Sequence, residues 1–340
     1  MKKLFGIIVL TCLLSGSFAA CNNDGADLPD YNDLMFNKQD REAYFEVLKA
    51  AYGPYLEDLL SSLNASLDNP KSYPGAVWAY VEGSLEKRIV TIVLKNLFEE
   101  TGQITSEDWP SETYGHISPA IWDCEYLTTL GISSEMFHGD MPPCGDGGKN
   151  FKRLYLFNTN ITSLPLDLFM LPTMNALFGT GNKALKHLPE GMGSVPYKHV
   201  DWYLLEGGLT GTVPAEIDIP IDLSYNEYTS VDWEHWKKID VISRIRLHPD
   251  SEGTYYVSAP RLKRNKISGI IPEEILTDTL KLIYTYDRIH PQLSGYGFAN
   301  MPPTAEVFKM KNEYMKNHPD VADAVKYMRP FYDYDQPWDL

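Results

Sequence analysis

The sequence predicts an α/β solenoid, a stack of short parallel strands forming one concave sheet, closed at both ends by helices. Three observations predict it. Residues 207–217 read GGLTGTVPAEI and residues 265–275 read NKISGIIPEEI, with Gly211 and Gly269, Pro214 and Pro272, and Ile217 and Ile275 in register. Prolines 142, 165, 189 and 214 close similar phrases at intervals of 23, 24 and 25 residues. Apolar residues at helical spacing flank the repeating region on both sides. A phrase that recurs at a fixed period marks a structural unit that is stacked, because no single copy can bury its own apolar face.

The copies share the pattern L-x-x-L-x-L-x-x-N-x-L-x-G-x-I-P. The first clear one is Leu127, Leu130, Ile132, Phe137, Gly139, Met141, Pro142; the second is Phe151, Leu154, Leu156, Thr159, Ile161, Leu164, Pro165. A third runs Met174, Leu177, Gly179, Asn182, Leu185, Leu188, Pro189, and a fourth Trp202, Leu204, Gly207, Leu209, Gly211, Val213, Pro214. Ile221, Leu223, Asn226, Tyr228 and Val231 make a fifth without proline, and Leu262, Asn265, Ile267, Gly269, Ile271 and Pro272 a sixth. Val90, Ile92, Leu94 and Leu97 start the array near residue 88, and residues 248–260 interrupt it.

Chemistry accounts for the residue types. In each L-x-L the two apolar side chains point inward and the residue between them points out, as alternation along a strand requires. Asn can bond backbone groups where the chain leaves the strand, and Gly and Pro supply the turns that follow. Leu130, Leu154, Leu177 and Leu204 should then lie along one common ladder. The segments LTGTVP, ISGIIP and FHGDMP resemble the plant-type leucine-rich repeat, and that resemblance covers about two thirds of the chain. It implies a horseshoe with the parallel sheet on its concave face and a role in recognition rather than catalysis.

The ends are legible too. Lys2 and Lys3, the apolar run from Leu4 to Leu14 and the small residues up to Ala20 describe a cleaved export signal over 1–20. The residues FAAC at 18–21 resemble a lipobox, which implies lipidation of Cys21, with 21–36 as a flexible tether. Residues 37–87 read as a helical N-terminal cap, 88–303 as the array, and 304–340 as a helical C-terminal cap with the acidic aromatic tail FYDYDQPWDL. Acidic residues soon after Cys21 resemble the surface-export signals of Bacteroidota lipoproteins, placing the chain at the outer membrane and cell surface, held there by lipid alone.

A formal charge of −16 over 340 residues excludes a nucleic-acid partner, which would need a clustered basic surface. The local sequences around Cys124 and Cys144 supply neither a base for a catalytic thiol nor further metal ligands; in an exported chain the two are candidates for a disulfide contributing about 3 kcal/mol. The eight histidines are scattered, and no phosphate loop, zinc motif or nucleophile elbow is present. The sequence therefore predicts no enzyme, no metal and no cofactor.

It predicts a surface instead. The outward residues of successive L-x-L units put Gly131, Tyr155, Phe178, Tyr203 and Asp222 in one column, so that three aromatic rings form a stripe. Arg153, Asp201, Phe157, Thr180, Leu205 and Ser224 flank it. Tyr155, Phe178, Tyr203, Arg153, Phe157, Asp201 and Leu205 are the candidate ligand-binding residues, because large aromatics beside an arginine anchor protein interfaces. A protein partner is the first expectation. Aromatic rows also stack on sugars, so glycan capture for an outer-membrane uptake system is the second.

Overall fold

A computed structural model describes residues 35–102, 113–196, 200–214, 216–247, 255–326 and 328. The export signal, Cys21, most of the tether, residues 248–254 of the interruption and the acidic tail lie outside the described residues.

The expected parallel sheet is present. Its seven strands are β1 (Ala76–Tyr80), β2 (Lys87–Leu94), β3 (Thr129–Ser133), β5 (Arg153–Phe157), β7 (Ala176–Thr180), β8 (Asp201–Leu205) and β10 (Ile221–Asp222), in the order β1-β2-β3-β5-β7-β8-β10. Every neighbouring pair from β2 onward is parallel and β1 alone runs antiparallel, against β2. Beyond β10 the course continues through a bridge from Asp222 to Arg261, and Leu262 N and Arg264 N then donate to Arg288 O and Pro291 O at 2.7 Å each. The repeats are thus leucine-rich-repeat-like in their backbone as well as in their spelling.

Two ladders of buried side chains run under the sheet. The first is Ile92, Leu130, Leu154, Leu177, Trp202 and Ile221; the second is Leu94, Ile132, Leu156, Gly179 and Leu204. Leu204 therefore sits on the second ladder and not with Leu130, where the sequence reading had put it, because Trp202 takes the first position in its strand. Gly179 is the gap in the second ladder, and Leu204 fills it: a Cβ added to Gly179 would meet Leu204 Cδ2 at 2.6 Å.

The turn that follows each strand repeats as well. Asn158, Gly181, Glu206, Tyr225 and Arg264 all have left-handed φ, between 51° and 73°. For the four non-glycine residues that conformation costs about 1 kcal/mol each. The next residue along ties the turn down. Asn182 Nδ2 donates to Leu156 O at 3.0 Å while its Oδ1 accepts from Thr159 Oγ1 at 2.8 Å. Asn226 Nδ2 donates to Leu204 O at 2.7 Å, and Asn265 Nδ2 to Leu223 O and Leu262 O at 3.0 Å. Gln292 takes this place in the last rung, donating to Leu262 O at 3.0 Å and accepting from Ile267 N at 3.2 Å.

The Gly-x-x-Pro phrases take part in a second set of short parallel pairs: β4 (His138–Asp140) with β6 (Asn160–Ser163), β9 (Thr210–Val213) with β11 (Glu227–Val231), and β14 (Ser268–Gly269) with β15 (Gly297–Phe298). Gly139, Gly211 and Gly269 there have φ of 80°, 84° and 131°, a conformation that explains the recurring glycine. Within the described part of the interruption, β13 (Tyr255–Val257) pairs antiparallel with β12 (Ile245–Leu247), which precedes it.

Helices α1 (Lys38–Tyr52) and α2 (Leu56–Ser62) precede the sheet. Asn37 caps α1, its side chain accepting from Asp40 N, and Tyr44, Val47, Leu48, Ala51 and Tyr52 are buried on the core side. Asp40 is fully buried and receives Arg88 Nη2 at 2.7 Å and Ile89 N at 2.7 Å, which fastens α1 to β2. The interval 37–87 is not helical throughout, since β1 lies in it, and Phe36, read as part of the tether, is buried beside Trp78 with ring centroids 5.0 Å apart. At the other end α3 (Thr279–Ile289) falls inside the stretch read as array, and α4 (Thr304–Asn317) packs on it, followed by α5 (Ala322–Lys326).

Cys124 and Cys144 are both buried free thiols, so the candidate disulfide is absent from the structure. They face different neighbours: Cys124 lies near Asp40, Tyr44 and Arg88, whereas Cys144 lies a repeat further on, against Gly148 and toward Asp167. Burial pushes both thiols well above the usual range.

Candidate functional site

Alternation decides which side chains reach the open face. In β5, Leu154 and Leu156 are buried, Tyr155 and Phe157 are half-buried, and Arg153 is exposed. Parallel register then sets Gly131, Tyr155, Phe178, Tyr203 and Asp222 directly beside one another on consecutive strands. Phe157, Thr180 and Leu205 form the column on one side, and Arg153, Ala176 and Asp201 occupy successive positions in the column on the other.

The three central rings are stacked. Tyr155 and Phe178 have centroids 5.5 Å apart and planes 9° from parallel, and Phe178 and Tyr203 repeat this at 5.3 Å and 9°. Phe157 adds a fourth ring on the same strand, 6.3 Å from Tyr155. The spacing is close to the roughly 4.8 Å between neighbouring strands, so the backbone imposes the stack. A stack of this kind covers ring faces. Phe178 has a neighbour on each face, so it offers a ligand its edge, as do the sides of Tyr155 and Tyr203 that face it.

The chemistry changes beyond Tyr203. Asp222 is buried and accepts from Ser224 N at 3.0 Å and Ser224 Oγ at 2.6 Å, with Arg261 3.5 Å away. Lys263 is buried, its Nζ has no hydrogen-bond partner, and burial lowers its pKa to about 8. Arg288 is buried against Asp287, 2.5 Å away. Sequence reasoning missed this charged cluster, although the RLKR run at 261–264 announces it.

It also missed a histidine pair. His116 and His138 sit at matching places on neighbouring turns, with ring centroids 4.3 Å apart and His138 Nε2 2.9 Å from Tyr114 O. Burial and then His116 lower the pKa of His138. The signal was present in GHI at 115–117 and FHG at 137–139, which align once the repeats are superposed. Among the described residues, no group of three or more His, Cys, Asp or Glu is placed to hold a metal ion.

No protein-family model matches the sequence, and no curated protein matches it. Solved structures do. A plant ice-binding protein is 20% identical over 70% of this chain and 66% of its own, with a TM-score of 0.44. The leucine-rich-repeat ectodomain of the receptor kinase SOBIR1 from Arabidopsis thaliana is 14% identical over 57% of this chain and 83% of its own, with a TM-score of 0.31. A leucine-rich-repeat protein of Leptospira interrogans is 17% identical over 65% of this chain and 56% of its own, at 0.36. The chain thus spans just under two thirds of the ice-binding protein. These are likenesses of fold, and the repeat assignment rests on the register and the asparagine turns described above.

Proposed function

We propose that the chain is an exported, lipid-anchored protein of the outer membrane and cell surface that recognises another protein through the concave face of a leucine-rich-repeat horseshoe, with helical caps at both ends. The N-terminal residues through Cys21 support export and lipidation. No described helix is long and apolar enough to cross a membrane. The binding role is non-catalytic, and Tyr155, Phe178, Tyr203, Phe157, Leu205, Arg153 and Asp201 carry it.

The stacking geometry is the observation that favours a protein over a glycan. A sugar ring docks on the face of an aromatic ring, and the central ring of this stripe has both faces covered by its neighbours. Ring edges in an apolar strip suit the irregular apolar surface of a protein, where a few aromatic anchors dominate affinity. An apolar strip on an acidic exported chain is otherwise a liability for aggregation.

The test is a variant carrying Tyr155→Ala, Phe178→Ala and Tyr203→Ala. A partner cross-linked to the chain on intact cells should bind this variant at least about a hundredfold more weakly, as loss of three anchors implies. Unaltered binding would remove the site, and retention of the wild-type chain on a glycan array would turn the reading toward sugar. Mass spectrometry of the mature N-terminus should find Cys21 diacylated.

A further inference from the structure

Among the described residues, the most exposed large apolar side chain is Leu85, which is 96% accessible. It stands in the turn between β1 and β2, and that turn is built to hold it out. Ser84 N donates to Val81 O at 3.1 Å, while Ser84 Oγ donates to Glu86 O at 2.8 Å and accepts from Glu86 N at 3.2 Å. These local bonds fix the backbone on both sides of Leu85. Tyr80, at the base of the same turn, is 52% exposed, and its hydroxyl donates to the sulfur of Met35 at 3.4 Å. Lys87 Nζ lies 5.5 Å from the centre of the Tyr80 ring and 5.1 Å from that of Phe36. Exposed apolar residues scattered singly need no explanation, but here three of them, Leu85, Tyr80 and Met35, gather around one turn.

Shape and composition narrow the occupant. A leucine at the tip of a turn projects outward, so two copies meeting tip to tip would bury little area, whereas a soft apolar layer closes around such a tip. Leucine flanked by a tyrosine and a lysine is the composition of a membrane interface, where ring and ammonium stay at headgroup level. Connectivity points the same way. Fourteen residue steps separate Met35 from Cys21, a reach of at most about 50 Å. Met35 and its contact Tyr80 are thus the exposed apolar residues that the chain holds nearest to the anchor. Two carboxylates set the limits: Glu82 is exposed beside the tip, and Glu86 accepts from Asn37 Nδ2 at 2.6 Å. They keep the insertion shallow and favour lipid of no net charge.

Resting on the lipid-anchoring reading above, we propose that the β1–β2 turn docks on the phospholipid surface that holds the anchor, with Leu85 at the acyl boundary and Tyr80 and Lys87 among the headgroups. The lipid on Cys21 supplies the attachment. The tip supplies the orientation: β1 is the strand nearest the membrane, and β2, β3 and the strands after them follow in sheet order.

The experiment couples the Cys21 thiol of the mature chain, residues 21–340, to a maleimide lipid in phosphatidylcholine vesicles, so that attachment does not depend on acylation in the cell. Cys124 and Cys144 are buried and escape the reagent. A benzophenone side chain at position 85 should cross-link to lipid at least about tenfold more than the same group at position 270. Ile270 is a fair control, being 70% exposed and next to β14 in the last flank pair. With the natural side chains, attachment should slow amide exchange across residues 81–86. Leu85→Glu should restore the rate of the unattached chain and leave the thermal midpoint where it was, because the leucine packs on nothing. Equal lipid adducts at 85 and 270, adducts to a second protein chain in place of lipid, or slowed exchange that survives Leu85→Glu overturns the inference. Cys21 without acyl chains on cells overturns the anchoring reading and this orientation with it; a diacylated Cys21 with no lipid adduct at 85 overturns the orientation alone.

Discussion

Asn226 Nδ2 lies 2.7 Å from Leu204 O, so the turn of one repeat is tied to the strand of the repeat before it. The same side chain accepts from Leu209 N at 3.3 Å and donates to Leu223 O at 3.0 Å. Asn226→Ala leaves these buried backbone groups without partners, and each such group costs about 1–3 kcal/mol. A loss of roughly 3 kcal/mol is expected in urea unfolding of the variant. A loss below about 1 kcal/mol would show that water replaces the asparagine without penalty.

Gly179 and Leu204 share one volume. Gly179→Ala pushes a methyl into Leu204 and should cost about 1–3 kcal/mol by overpacking, and Leu204→Ala should cost about 2–5 kcal/mol by leaving a cavity. Combined, they should destabilise by less than the sum of the two, because each relieves the other. A double-mutant cycle measures this directly, and strict additivity would contradict the contact.

Lys263 makes the stability of the protein depend on pH in a definite direction. An unfolded lysine titrates near 10.4, and burial lowers Lys263 to about 8. Below pH 8 the group is charged in both states and the penalty of burying it is fully present. Between pH 8 and about 10.4 the unfolded chain binds the extra proton, so this group's contribution to stability rises with pH. Lys263→Met should therefore raise stability at pH 7 by about 3 kcal/mol and narrow its advantage over the wild type as pH climbs through that window. Comparing the two proteins at each pH cancels the opposing effect of buried tyrosines such as Tyr228, whose hydroxyl burial pushes upward in pKa. A variant no more stable than the wild type at pH 7 would mean that the ammonium is not buried as described.

The repeats were legible because most copies keep at least two of three spacings: the L-x-L pair, the polar residue three positions after its second member, and the Gly-x-x-Pro turn. Gln292 escaped notice only because glutamine stands where asparagine was sought; it follows Ile289 by the same three positions that separate Leu262 from Asn265. Helix α3 was missed for a different reason. The array was carried through to residue 303, although Asp278, which caps the helix by accepting from Lys281 N, stands just before the apolar residues at 280, 282, 283 and 284 and is a helix-start signal. Strand β1 escaped because it is only five residues long and nearly half exposed, although Gly83 in the VEGSLEK stretch that follows it is a turn signal. The aromatic column was read correctly in register, since alternation and parallel pairing suffice to place Tyr155 beside Phe178. That the rings would lie flat on one another required coordinates.

The antiparallel pairing of β1 with β2 ends the parallel array on that side, because a further turn of the repeating kind could join only by running alongside β2, where the reversed strand already sits. The backbone groups of β2 that would template such a strand are thereby occupied from within the chain, so that edge of β2 is closed to pairing with a second molecule.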